Sequence, residues 1–243
     1  MKIFFVYGRL YGECLRKALG GIRKNPWTLL LPIVLLFGYR IIGELLRPLR
    51  VIDRLGLIGG ILMVLVVAAL ISCYLYFTGE VVSQSRVRVS EFGRSIGTYL
   101  WAVVNLGFVL WVARLLLSLG LQANPRAAAT AELLLLLASF ILLNPAPEII
   151  YVRGTYGGLA TVQRSIAFVQ QNWIEWFVPN LPLAALALVL LSLLDQFDAP
   201  VAWAAQIPIG AFCHVAMVFR GHLFLALDGS THRQRMFRYR SPA

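Results

Sequence analysis

Residues 55–78 read LGLIGGILMVLVVAALISCYLYFT, 24 positions without a charged side chain. A run of this length is at home in lipid, because a helix that crosses the hydrocarbon core needs about 20 mostly apolar residues. Five further apolar runs flank it, at 27–46, 97–119, 131–151, 173–194 and 201–219. The chain therefore reads as all-α, a polytopic membrane helix bundle with six transmembrane helices.

Composition agrees with that reading. Of 243 residues, 59% are hydrophobic and 14% charged. A soluble domain carries roughly 45–50% apolar and about 25% charged residues. Six spans take about half the chain, which leaves no room for a large soluble domain. Residues 1–17 contain no apolar segment followed by a small-residue cleavage site, so the first span is expected to act as an uncleaved insertion signal. Cys14, Cys73 and Cys213 form no CxxC pair, so neither a disulfide frame nor a zinc site is expected.

The fourth run is the least regular. Asn144, Pro145 and Pro147 precede Glu148, so its end is expected to be kinked or unwound. Broken backbone at membrane depth survives only where protein or trapped water satisfies it.

Orientation follows from the cations. Sixteen of the 22 lysines and arginines fall on the side of the N terminus, and only Arg40, Arg47, Arg50, Arg54, Arg114 and Arg126 fall on the other. The excess places both termini in the cytoplasm.

Three short basic segments resemble one another. Arg16-Lys17-Ala18-Leu19 aligns with Gln163-Arg164-Ser165-Ile166, and the same offset pairs Asn25 with Asn172 and Pro32 with Pro179. A third copy sets Arg94-Ser95-Ile96 on Arg164-Ser165-Ile166, with Ala102 in place of the asparagine. All copies begin on one side of the membrane, as parallel repeats about an axis along the membrane normal do. The expected plan is three repeated hairpins, at about 3–79, 80–151 and 152–220, each preceded by an amphipathic interfacial helix. Together they form one transmembrane domain over 1–220, followed by a basic cytoplasmic tail over 221–243.

The first surface segment carries Arg9, Glu13, Arg16, Lys17, Arg23 and Lys24 on one helical face and Tyr11, Cys14, Leu15, Ala18, Leu19 and Ile22 on the other. Such a helix lies in the interface with its cations toward anionic lipid. Arg94 and Arg164 take the same role in the later copies, and Arg233, Arg235, Arg238 and Arg240 extend it into the tail. Each cation near an anionic leaflet adds about 1 kcal/mol of attraction. Asn25 and Asn172 fall where the surface helix turns into the bilayer, and a side-chain amide there can satisfy backbone groups freed by the bend.

The segments from Arg16 to Trp27 and from Gln163 to Trp173 share a pattern: a basic residue, a small one, an aliphatic one, then Asn-Pro-Trp or Asn-Trp opening a span. In this the chain resembles a group of six-span bacterial membrane proteins. The group includes the membrane domain attached to some glycerophosphodiester phosphodiesterases. The resemblance implies three helix hairpins with interfacial helices in a bacterial cytoplasmic (inner) membrane. The phosphodiesterase catalytic domain has no counterpart here, so that activity is not implied.

Motifs with chemistry are few. Gly93-Arg94-Ser95-Ile96-Gly97 matches GxSxG, but a nucleophile elbow needs a strand before it and a histidine and carboxylate partner, and no strand pattern precedes this one. Glu148 and His214 are the candidate polar residues lining a cavity, because charge inside a bilayer is costly and usually functional. Arg40 and Glu44 can pair across one helical turn, and Glu175 reads as interfacial. These features favour a membrane scaffold, accessory or assembly subunit without catalytic activity. A transporter or permease-like conduit for a small solute or lipid is the alternative, and a lipid-acting enzyme rests on GxSxG alone. Expected partners are a bilayer with anionic lipids and another membrane or cytoplasmic protein, with no cofactor and no nucleic acid.

Overall fold

The computed structural model describes residues 2–51, 55–83, 86–194, 196 and 198–240. Among these, the α-helices in chain order are α1 (Lys2–Lys24), α2 (Leu31–Leu45), α3 (Arg47–Val51), α4 (Gly56–Val82), α5 (Phe92–Thr98), α6 (Leu100–Gly120), α7 (Pro125–Leu142), α8 (Ala146–Arg153), α9 (Gly158–Leu194), α10 (Ala199–Asp228) and α11 (His232–Arg240). Short 3-10 turns at Pro26–Leu30 and Val89–Glu91 lead into α2 and α5. No strand occurs among the described residues. Six helical stretches are long and apolar enough to cross a membrane: Pro26–Leu45, Gly56–Val82, Val89–Gly120, Pro125–Leu142, Gly158–Leu194 and Trp203–Asp228. The chain is an all-α polytopic membrane bundle.

Of the boundaries that differ from the sequence reading, two change what is packed into the core. The fourth span is Pro125–Leu142, not 131–151, because Asn144 and Pro145 end the helix and α8 begins afresh at Ala146. The two parts have opposite surroundings: no described residue of α7 is buried, whereas Ala146, Glu148, Ile149, Ile150 and Tyr151 of α8 all are. The division at 220 and 221 also falls inside a helix. α10 runs on through Asp228 and sends Leu223, Phe224 and Leu227 into the core. Arg220 and Gly221 ended the apolar run in the sequence, but the apolar pattern resumes at once after them.

The core gathers at one end of the bundle. Leu10, Cys14, Ala18 and Ile22 of α1 recur at four-residue spacing and are buried, the separation that puts helix residues on one face. They join Phe77 and Val81 of α4, Ile149 and Ile150 of α8, Phe168 and Trp176 of α9, and Leu223 and Phe224 of α10 in one cluster. Rings lock it: Phe168 stacks on Phe224 at 4.6 Å and meets Trp176 edge-on at 5.2 Å. Away from this end, large side chains such as Leu57, Leu116, Leu136 and Leu188 face outward. In water such a surface would drive association, whereas lipid is its natural solvent.

Three bends open three spans, and each is satisfied locally. Asn25, between α1 and α2, donates from Nδ2 to the Gly21 carbonyl at 3.2 Å, and its Oδ1 accepts the Val87 amide at 2.9 Å. α9 is 37 residues long, about 55 Å, against a hydrocarbon core of about 30 Å. It kinks at Asn172, whose φ and ψ of −131° and 19° are non-helical. Asn172 Nδ2 donates to the Phe168 carbonyl, again four residues back and again at 3.2 Å. The bend between α5 and α6, at Tyr99, has no asparagine. Ser72 of α4 supplies the missing polar atom: its hydroxyl accepts the Tyr99 amide and donates to the Ser95 carbonyl, both at 2.9 Å. The Asn105 side chain then donates to the Tyr156 carbonyl at 3.0 Å.

Candidate functional site

Glu148 stands in the first turn of α8, just past the Asn144-Pro145 break. A carboxylate is favoured there by the helix dipole. It is 0% exposed. Arg220 of α10 clasps it with two bonds, Nε to Oε1 at 2.8 Å and Nη2 to Oε2 at 3.1 Å. This is the fork geometry in which guanidinium and carboxylate match best. Nη2 also donates to the Asn144 carbonyl at 2.6 Å. The guanidinium lies 5.1 Å from the Trp176 ring centroid, and Trp176 Nε1 donates to Asn144 Oδ1 at 2.8 Å. One knot of four residues thus ties α8, α9, α10 and the broken end of α7. Gly221 lets Tyr151 approach α10: a Cβ at that position would lie 2.5 Å from the Tyr151 hydroxyl.

A second knot sits just beyond the α9 kink. Glu175, expected at the interface, is 4% exposed. Its Oε1 accepts from Arg235 Nη2 at 3.1 Å and lies 2.6 Å from His232 Nδ1. Arg235 Nη2 also reaches Asn172 Oδ1 at 2.8 Å, and Nη1 donates to the carbonyls of Leu227 and Ser230. Tyr11 of α1 donates to the Glu175 carbonyl at 3.1 Å. Burial, then the nearby Glu175 charge, raises the Tyr11 phenol above its ordinary range, so it acts as a donor at neutral pH.

Arg235 therefore departs from the sequence reading. Charge pattern groups it with the headgroup-facing cations of the tail, but only 4% of it is exposed and it fastens α11 to the α9 kink. Charge density alone cannot distinguish a solvated arginine from one that caps a neighbouring bend. Arg16, Lys17, Arg23, Lys24, Arg94, Arg164 and Arg233 are exposed, and Arg9 is half-buried. The side chains of Arg238 and Arg240 lie outside the described ones. Lys17 pairs with Glu13 at 2.6 Å. Glu44 pairs with Arg47, not Arg40, whose guanidinium sits 4.3 Å from the Trp203 ring centroid.

His214 is 0% exposed, and neither ring nitrogen has a hydrogen-bond partner among the described residues. The Tyr74 ring meets it edge-on, with centroids 5.8 Å apart. Glu148 and His214 are thus both enclosed, the first fully engaged and the second unengaged. Ser95 of the GxSxG match lies inside α5, wholly buried, and its hydroxyl donates to the Phe92 carbonyl at 2.6 Å. No group of three or more metal-ligating side chains occurs among the described residues. Sequence reading missed Arg220 and Asn144 as members of the first knot. The available signal was the apolar stretch from Leu223 to Leu227, which continues the last span past Arg220. No protein-family model matches the chain, and no curated protein or solved structure is significantly similar to it.

Removing one partner of a buried pair strands the other charge, whereas replacing both with apolar groups is often tolerated. In detergent, Glu148→Gln and Arg220→Met are each expected to cost about 3–5 kcal/mol of stability. The double variant Glu148→Leu/Arg220→Met should recover most of that loss in thermal unfolding. Unfolding of both single variants at the wild-type temperature would remove the pair from the list of forces joining α8 to α10.

Proposed function

We propose that the chain is an integral membrane scaffold, accessory or assembly subunit without catalytic activity, seated in the cytoplasmic (inner) membrane of a bacterium. The observation that carries this reading is how the interior charges are used. Glu148 is held by Arg220, and Glu175 by Arg235 and His232, so each joins helices to one another. A bundle of this kind presents its outer faces to partners and lipid and keeps its polar groups for its own cohesion.

The proposed body plan is threefold. Ala18, Ser95 and Ser165 occupy equivalent positions and are all 0% exposed. Seven residues on, Asn25, Ala102 and Asn172 are all buried at or near a bend. Each hairpin is closed by the segment that follows it: Val87 bonds Asn25, Tyr156 bonds Asn105, and Arg235 bonds Asn172. These parallels support three copies of one unit. α1, with buried and exposed residues on opposite faces, supports the reading of an amphipathic helix lying on the cytoplasmic surface. The same pattern in the six-span bacterial group carries the resemblance noted above.

His214 and the helix break at 143–145 favour the second reading, a conduit for a small solute or lipid. The two readings part in one experiment. Under the scaffold reading, purification in mild detergent recovers a second membrane or cytoplasmic protein in fixed ratio, and proteoliposomes of the chain alone pass no solute above control. Flux that is lost in His214→Phe, with no protein co-purifying, would establish the conduit.

Orientation has its own test. Gln196→Cys should react with a membrane-impermeant maleimide added from outside, and Ser230→Cys should not. Cys14 and Cys73 are buried, and burial pushes Cys14 up to about 12, whereas Cys213 is half-buried, so both variants are made in a Cys213→Ser background. Labelling of Ser230→Cys alone would invert the topology.

A further inference from the structure

A cleft of about 500 Å³ opens between α8, the part of α9 before its kink, and the end of α10. Its floor is closed by Ile149, Phe168 and Phe224, which are already buried in the core, and by the exposed Ala167. Its rim carries Arg153, Arg164, Gln171 and Asp228. Two guanidiniums against one carboxylate leave an excess positive charge at the rim of the cleft. Both cations are anchored rather than waving in solvent. Arg153 is tied to Asp228, with Nε and Nη2 each 2.5 Å from Oδ2. Arg164 Nη1 donates to Thr155 Oγ1 at 2.5 Å. Thr155 is itself 6% exposed and follows Gly154, whose φ of 60° lies in the left-handed region that a glycine enters without strain. The turn at Gly154 thus places Thr155 where it holds Arg164 over the cleft.

We propose that this cleft binds one anionic glycerophospholipid, with the headgroup phosphate between Arg153 and Arg164. Guanidiniums match phosphate oxygens in a planar, two-pronged way that lysines do not. Gln171 adds an amide at the rim able to donate to a headgroup hydroxyl. Position is what selects a lipid over a free anion: the cleft opens where α8 meets the start of α9 and the end of α10, two helices long and apolar enough to cross a membrane, which is where lipid headgroups lie. The cleft forms where three helices meet at the core end, so an occupied site braces α8 against α9 and α10. This rests on the reading that the core end faces an anionic leaflet, and it goes further by specifying a discrete, saturable site rather than a diffuse attraction.

The probes are dioctanoyl-phosphatidylglycerol, dioctanoyl-phosphatidylcholine and inorganic phosphate, added to the full chain in detergent with thermal unfolding as readout. The phosphatidylglycerol should raise the unfolding temperature along a saturating curve, with half-saturation shifted up at least about tenfold, about 1.4 kcal/mol, in Arg164→Gln. Ala167→Trp fills the cleft without touching a charge, and it should abolish the saturating rise. Arg16→Gln, on α1, should leave the curve in place while weakening pelleting with phosphatidylglycerol vesicles. Loss of vesicle pelleting with the curve intact therefore reports on the surface helix, and loss of the curve reports on the cleft. Wild-type curves in both Arg164→Gln and Ala167→Trp would overturn the proposal. So would equal saturation by the phosphatidylcholine, or by inorganic phosphate, which would make the ligand a zwitterion or a free anion.

Discussion

Inside a bilayer, a charge must find its counter-charge within the protein. That constraint explains why this bundle is organised around one end. Glu148 and Arg220 lie 72 positions apart in sequence and meet in a two-bond fork. Neither would be stable buried without the other. Once they meet, α8 is fixed to α10, Asn144 is drawn in by Arg220 and Trp176, and the break between α7 and α8 becomes a satisfied corner rather than a defect. Glu175 and Arg235 repeat the logic at the kink of α9, and they bring the last helix onto the body of the protein.

The bends follow from the same need. A chain that bends as it enters a span frees backbone groups at the bend, and each must be answered without water. Asn25 and Asn172 do this in one way, reaching back four residues with Nδ2 and holding a following segment with Oδ1. At the bend by Tyr99 the Ser72 hydroxyl from the neighbouring helix meets the need. A serine in a neighbouring helix can thus do at one bend what a side-chain amide does at the other two.

Local pattern was legible in the sequence, and distant pairing was not. The six spans stood out because apolar length is a property of a single segment. The interruption at Asn144 and Pro145 stood out because proline acts on its own helix. Glu148 was marked as unusual because an acid beside such a break is costly, but nothing local named Arg220 as its partner. Arg220 and Gly221 looked like the end of a span, since a window that averages hydropathy cannot register a cation neutralised by another helix. Arg235 was misread for the same reason: it lies among four other basic residues of the tail, and only the fold brings Asn172 and Glu175 to it.

Lipid as solvent for the outward-facing helices is the claim beneath all of this, and α7 isolates it. No described residue of α7 is buried by the rest of the protein. Amide hydrogen exchange of the chain in lipid nanodiscs measures its surroundings directly. A hydrocarbon surround predicts that the central amides of Pro125–Leu142 are as protected as those of the packed half of α10. Exchange of α7 at the rate of an exposed, water-bathed helix would contradict a membrane-spanning bundle.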